Sequence, residues 1–332
     1  MFSINNKFIS LFFSCILIFA CNDDHVFDNT NNSTSDKTDS PKTILITGYL
    51  KSNTVKADRD WSFLNCVDRI FFFGLSPNEK GMFKVDIDYI TNYNIVREKI
   101  KPNQKLHVVI GTGGTVANMH VMGNDKKKRE AYVDNLVLFI ERYPCDGIDI
   151  DWETDWDTGQ KVSTENLIAL IEYLKKKLPN KMKITVALSR SDMDTAFAIQ
   201  HLVEDMSIMI YSTLNKEGLH SPLYTVKEIM QKYNDKGIIN NKLSVGVPFY
   251  GRHKNGKAMK YRDIVPYLSL GDLDTNMWEG FSFNSVNDMK EKVQFIKEKG
   301  YRGIMIWELD QDVPVSNQMS LLKGIYEKNV FD

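Results

Sequence analysis

Residues 146–153 read Asp-Gly-Ile-Asp-Ile-Asp-Trp-Glu. Asp149, Asp151 and Glu153 stand two apart, and Ile148, Ile150 and Trp152 fill the alternate places. On a strand, alternate side chains share a face. One face therefore carries three carboxylates and the other three large apolar groups. Stacked carboxylates in a core are costly, and like charges a few ångströms apart push at least one pKa upward. Such cost is typical of functional sites. Two other readings exist. An exposed edge strand would merely solvate the acids, which the apolar neighbours argue against. A divalent cation would need ligands on a turn with an obligatory glycine, or a histidine cluster, and the segment has neither; no metal is expected.

Working outward, seven more short runs are rich in β-branched and aromatic residues. With the acidic strand they are Thr43–Tyr49, Val67–Gly74, Leu106–Gly111, Gly147–Trp152, Lys183–Leu188, Met206–Tyr211, Leu243–Val247 and Gly303–Trp307. Most are too continuously apolar for a half-exposed antiparallel strand and suit parallel strands covered on both faces. Helical patterns lie between them. Lys126–Tyr143 places Tyr132, Leu136, Leu138, Phe139 and Ile140 near one face. Thr164–Leu178 repeats Leu167, Leu170, Ile171 and Leu174. Asn287–Lys299 carries Met289, Val293, Phe295 and Ile296, and Thr225–Tyr233 and Gln318–Lys328 are shorter candidates. Strand and helix in alternation predict right-handed βαβ units. Eight strands in about 290 residues predict one α/β domain, a single (β/α)8 TIM barrel. An open doubly wound sheet would want a Gly-rich turn after strand one, where residues 48–53 read GYLKSN. The widest interval, Gly251 to Gly303, is expected to hold a helix and a long loop. In the barrel the three carboxylates climb the inside of strand four toward the C-terminal end, where active sites of this fold lie.

Lys plus Arg number 42 and Asp plus Glu 43, a formal net charge of −1. That balance excludes the basic excess of a nucleic-acid-binding protein. Hydrophobic residues at 42% and charged residues at 26% describe a globular chain. Residues 8–20, FISLFFSCILIFA, are apolar but too short to span a membrane, which takes about 20 residues. They suit a secretory signal over residues 1–20. Cys21 follows Ala20 directly and resembles the lipidated cysteine of a bacterial lipoprotein; a plain signal peptide is the alternative. Residues 22–42 are nearly all polar and predict a flexible tether. Asp23 and Asp24 resemble the acidic export tags of Bacteroidetes surface lipoproteins, which implies an outer-membrane or cell-surface location, with a periplasmic or secreted one as the alternative. The folding part is then 43–332, touching a membrane only through the lipid anchor. Cys66 and Cys145 are expected to be free thiols.

The chemistry open to such a strand is proton transfer. Glu153, uppermost, is placed as general acid, with Asp151 beneath it to hold a proton and Asp149 to raise the pKa of Asp151. The pair is vertical on one strand, so no carboxylate nucleophile is evident. DGIDIDWE resembles the D-x-x-D-x-D-x-E signature of glycoside hydrolase family 18, the chitinase-like barrels, and it sits on the fourth strand as it does there. Further landmarks follow in order: Gly48-Tyr49, Gly113-Gly114, Met209-Ile210-Tyr211, LSVGVPFYGR at 243–252 and GIMIWELDQD at 303–312.

The resemblance spans about residues 43–328 and implies a substrate-assisted glycosidase that needs no cofactor. It implies that Glu153 protonates the glycosidic oxygen and that the substrate's 2-acetamido group attacks C1. Asp151 would steady the acetamido nitrogen, Tyr211 its carbonyl oxygen, and Trp307 would form the floor under the sugar. Tyr49, Met209, Tyr250, Arg252 and Gly114 are the further sugar-binding candidates, and Asp146 completes the motif as a structural residue. Tyr250 reads equally as rim packing, and Arg252 as a partner for an acid. Trp278 is a sugar platform or an ordinary rim aromatic. His120, His201, His220 and His253 show no triad or metal spacing. Two departures from the family stand out. Ser212 follows Tyr211 where the family commonly has Asp, and the interval after strand seven is too short for the α+β insertion domain. The implied partner is a polymer or oligomer containing N-acetylglucosamine, and a monomer is expected. Two alternatives are an endo-β-N-acetylglucosaminidase acting on N-glycans and a carbohydrate-binding protein without activity.

Overall fold

The computed structural model describes residues 43–111 and 116–331. Residues 1–20, read as a signal, Cys21, residues 22–42, read as a tether, and Gly113-Gly114 lie outside them. Twelve strands are present among the described residues: β1 (Leu45–Lys51), β2 (Arg69–Phe73), β3 (Lys105–Gly111), β4 (Gly147–Asp151), β5 (Lys183–Ser189), β6 (Asp205–Met209), β7 (Leu243–Pro248), β8 (Tyr250–His253), β9 (Ala258–Lys260), β10 (Met277–Trp278), β11 (Phe281–Ser282) and β12 (Gly303–Trp307). Eight of them, β1–β7 and β12, close a parallel barrel in the order β1-β12-β7-β6-β5-β4-β3-β2. Every one of the eight overlaps a strand read from sequence.

The helices are α1 (Ile87–Lys99), α2 (Val116–Gly123), α3 (Lys126–Arg142), α4 (Thr164–Lys177), α5 (Met193–Ile199), α6 (Leu223–Asp235), α7 (Tyr261–Ile264), α8 (Val286–Lys299) and α9 (Leu321–Phe331). Capping side chains mark several starts: Asp125 accepts from Lys128 N–H, and Ser285 and Asp288 form a reciprocal capping box. α1 escaped the sequence reading. Its buried positions are only Tyr89, Tyr93 and Val96, while Ile87 is exposed. One position on α3 is corrected: Leu138 is 65% exposed, and the buried stripe is Arg129, Tyr132, Val133, Leu136, Phe139 and Ile140. Leu138 lies six positions past Tyr132, which at 3.6 residues per turn turns it off that stripe.

The interval after β7 is also corrected. It holds a four-stranded antiparallel sheet, ordered β10-β11-β8-β9, and the four-residue α7, in place of a plain loop before α8. Strands of two to four residues are too short to show an alternating pattern. The barrel remains single, with this small sheet as an elaboration at its rim.

Two apolar cores result. The larger lies between barrel and helices; the smaller fills the barrel with Tyr49, Phe71, Val109, Ala187, Met209, Tyr211, Tyr250 and Met305. Beneath the smaller core is a buried ion pair. Arg69 Nη1 and Nη2 each donate to the Asp205 carboxylate at 2.8 Å, and Nε donates to Thr47 Oγ1 at 3.1 Å. The guanidinium lies 4.8 Å over the Phe71 ring. The paired geometry offsets the desolvation of both charges.

Removing one partner leaves the other charged in the core. Asp205→Ala is expected to lower unfolding free energy by about 3–5 kcal/mol. The double change Arg69→Met with Asp205→Leu is expected to recover most of that loss. Urea titrations of the three proteins measure both effects.

Candidate active site

The site lies at the C-terminal end of the barrel and is built on the acidic strand. Asp149 is fully buried and does not reach the cavity. Tyr49 Oη donates to its Oδ2 at 2.5 Å, and Thr185 Oγ1 donates to its Oδ1 at 2.6 Å. Burial is the main cause that raises its pKa to about 6; the two hydroxyl donors and Arg69 hold it back, and Asp205 adds to the rise. The sequence reading gave Asp149 the task of raising its neighbour. In the structure it is itself a carboxyl driven upward.

Asp151 ends β4 one pleat above, and Glu153 lies just past the strand, half-buried. Both face a cavity of about 470 Å³, within the usual range for small-molecule sites. Of the other residues predicted for the site, Tyr49, Met209, Tyr211, Tyr250, Arg252 and Trp307 all line it, and Ser212 joins them. Gly114 lies outside the described residues. Asp146 is at the opposite end of β4, where its carboxylate accepts from Leu106 N–H at 2.9 Å and sits near Arg97 and Lys105. It ties β3 to β4 and takes no part in the cavity.

Burial raises the phenol of Tyr211 well above its usual pKa, with further rises from Tyr250, Asp151, Glu153 and Asp149. Tyr49 is raised the same way by burial, Asp149 and Asp151. Both phenols are therefore neutral donors. Gly246 makes room for Tyr211: a Cβ there would come within 2.9 Å of its ring and 2.4 Å of the Ile208 carbonyl. Tyr250 is not rim packing alone, since its phenol donates to the Tyr211 carbonyl at 3.0 Å. The Arg252 guanidinium lies 5.7 Å from the centre of the Tyr250 ring. Trp307 meets Tyr49 and Phe73 edge-on, at 5.2 and 5.7 Å between ring centres. Trp278 is stacked on Tyr267 at 4.5 Å and does not line the cavity.

Four contributors escaped the sequence reading. Lys51 and Phe73 line the wall, each two residues beyond an inward aromatic, Tyr49 and Phe71. The same alternation that places those aromatics inside would have found them. Trp156, 74% exposed, stands at the rim three residues past Glu153. His120 on α2 is the fourth. Trp152 Nε1 donates to its Nδ1 at 3.3 Å, so its Nε2 carries the proton and donates to the Glu153 carbonyl at 3.1 Å. Burial lowers its pKa, which keeps the ring neutral. No spacing in the sequence relates His120 to Glu153; packing of α2 on Trp152 does. Gly123 permits that packing, since a Cβ there would fall 2.1 Å from the Trp152 ring.

A parallel eight-stranded barrel with stacked acids and aromatic walls at its C-terminal end fits a glycoside hydrolase. The chain belongs to glycosyl hydrolases family 18, whose sequence model matches residues 27–312. It is a glycosidase of that family. It is similar to chitinase-3-like protein 2 of Homo sapiens, with 22% identity over 74% of this chain and 80% of that protein. Among solved structures it resembles a chitinase from Bacteroides thetaiotaomicron, with a TM-score of 0.73 and 20% identity over 86% of this chain and 96% of that one. It also resembles a chitinase-like agglutinin from Robinia pseudoacacia, with a TM-score of 0.69 and 20% identity over 85% and 98%. At such identities the structures share the fold.

The raised carboxyl of Asp149 has a thermodynamic signature. Its folded pKa of about 6 lies above the ordinary 3.8, so the folded chain holds this proton more tightly than the unfolded chain. The contribution to stability is complete below about pH 4 and is lost as pH rises to about 6. Asp149→Asn has no such loss. The unfolding free energy of the variant minus that of wild type is expected to grow by about 2–3 kcal/mol from pH 4 to pH 7. Urea unfolding across that range measures it.

Proposed function

We propose that the chain hydrolyses β-1,4-linked N-acetylglucosamine in chitin or its oligosaccharides, with retention, through an oxazolinium ion. One observation carries this reading. The carboxylates of the cavity wall, Asp151 and Glu153, come from the end of β4 and the residues just past it, and so approach from one side. A protein nucleophile would have to face the acid across the scissile bond. The substrate's own acetamido group supplies what the wall lacks.

Glu153 gives its proton to the glycosidic oxygen as the acetamido carbonyl oxygen attacks C1 and the C1–O bond breaks. Asp151 accepts from the acetamido N–H, and the neutral Tyr211 phenol donates to the acetamido oxygen. Asp149, poised near pH 6, gives Asp151 a neighbour able to share a proton. Trp307 offers an indole face to the pyranose. Water then attacks C1, gives a proton to Glu153 and opens the ring. The chitinases among the similar proteins support the choice of substrate.

Glu153→Gln is expected to lower kcat on chitooligosaccharides by at least about 10²-fold while leaving their binding intact. A thiazoline mimic of the oxazolinium ion is expected to compete with substrate. Equal activity of wild type and variant would sink the proton-donor role. The similarity to an agglutinin gives a second reading, sugar binding without hydrolysis. A wild type that binds chitooligosaccharides and cleaves none would favour it.

Ser212 is exposed in the cavity wall at the position the family commonly fills with Asp. Ser212→Asp restores a charged acceptor beside the sugar. The variant is expected to lower KM for chitooligosaccharides about three- to tenfold; steady-state kinetics tests it.

A further inference from the structure

His220 has no part in the chemistry above, yet it is 1% exposed and stands directly behind the cavity wall. It ends the loop that follows β6, where it pairs with Leu214 as an isolated bridge. Its Nε2 lies 2.8 Å from the Tyr211 carbonyl oxygen and its Nδ1 lies 3.2 Å from that of Tyr250. Burial is the main cause that lowers its pKa to about 4, with Arg252 and Lys292 adding to the fall and the two carbonyl contacts opposing it; a neutral ring has one N–H for the two oxygens. The nearer oxygen, that of Tyr211, receives it. The Tyr250 phenol donates to the same oxygen at 3.0 Å. Two donors thus use both lone pairs of one carbonyl. That carbonyl belongs to the residue whose phenol faces the acids. The imidazole also packs on the Tyr250 ring, 4.8 Å between centres.

His220 is held from behind in turn. Its N–H donates to Ser282 Oγ at 3.0 Å, and its carbonyl accepts from Asn284 Nδ2 at 2.7 Å. The next residue, Ser221, takes φ 53°, a left-handed conformation that a non-glycine residue rarely adopts. The Ser221 carbonyl accepts from Lys292 Nζ at 2.6 Å, and Lys292 also donates to Asn284 Oδ1. Lys292 is fully buried on α8. Burial lowers the Lys292 pKa to about 7, and its two hydrogen bonds go to Ser221, next to His220, and to Asn284, which holds the His220 carbonyl.

We propose that His220 is a positioning residue for the reaction proposed above. Its hydrogen bond to the Tyr211 carbonyl and its contact with Tyr250, whose phenol donates to the same carbonyl, set where the Tyr211 phenol meets the acetamido group. Asn284 and Lys292 set where His220 stands. The proposal rests on the functional reading, and its test separates the two.

A displacement of about 1 Å at a reacting group costs on the order of 10²-fold in rate. In His220→Ala, kcat on a chromogenic chitobioside is expected to fall about 30- to 100-fold, with KM held within about threefold by the rest of the wall. His220→Gln keeps an amide donor of similar reach and is expected to return kcat to within about fivefold of wild type. A His220→Ala kcat within about twofold of wild type, or equal losses in the Ala and Gln variants, overturns the proposal. Should the Ala variant fail to fold, His220→Asn replaces it: its amide is one methylene shorter, and it is expected to fall about tenfold below Gln. Crystal structures of wild type and the most impaired folded variant give a readout independent of turnover. Displaced Tyr211 and Tyr250 rings support the proposal, and unmoved rings overturn it. A wild type inactive on every chitin substrate sinks the functional reading and leaves that structural comparison standing.

Discussion

A carboxylate at the centre of a closed barrel must find its hydrogen bonds inside the protein. Asp149 finds them in Tyr49 and Thr185, from strands on either side of the barrel's interior. Arg69 finds its own in Asp205 and Thr47 one layer below. These bonds fix which face of β1, β2, β4, β5 and β6 points inward. A shift of one residue in any of these strands would turn its polar groups toward the helices and its apolar groups into the barrel. The interior column thus sets the register on which Asp151 and Glu153 depend. Each rises above Asp149 by one more pleat.

The same column places the chemistry at one end only. Toward the bottom, charges are paired and dry. Toward the top, the strands stop and the walls become Tyr211, Tyr250, Trp307 and the rim aromatic Trp156. Glu153 lies past the end of β4, so strand pairing no longer holds its backbone. His120 takes over that task from α2 through the Glu153 carbonyl. Tyr211 is in a similar position past β6, and there His220 and the Tyr250 phenol hold the carbonyl. Where the ladder ends, side chains from neighbouring elements hold the backbone of the working residues.

Much of this is legible in the sequence. The eight barrel strands show as covered apolar runs because both of their faces are buried. The acidic face of β4 shows because alternation is the strongest short-range signal a strand has. Other parts were not legible for physical reasons. The strands β8–β11 are two to four residues long, too few for a period. α1 buries three scattered residues and presents little amphipathic contrast. Leu138 is apolar yet exposed, because composition alone does not say which side of a helix meets the barrel.

Sequence alone determined the barrel, the order of its strands along the chain and the row of Asp149, Asp151 and Glu153 on one face. These follow from local periodicities, which a chain carries wherever it goes. Only the tertiary structure decided that Asp149 is sealed beneath the cavity while Asp151 and Glu153 open to it. Only packing brought His120 to the Glu153 carbonyl and His220 to the Tyr211 carbonyl. These partners lie 33 and 9 residues apart, and no period links them. Their meeting depends on where helices and loops land once the barrel closes, which is a property of the whole fold.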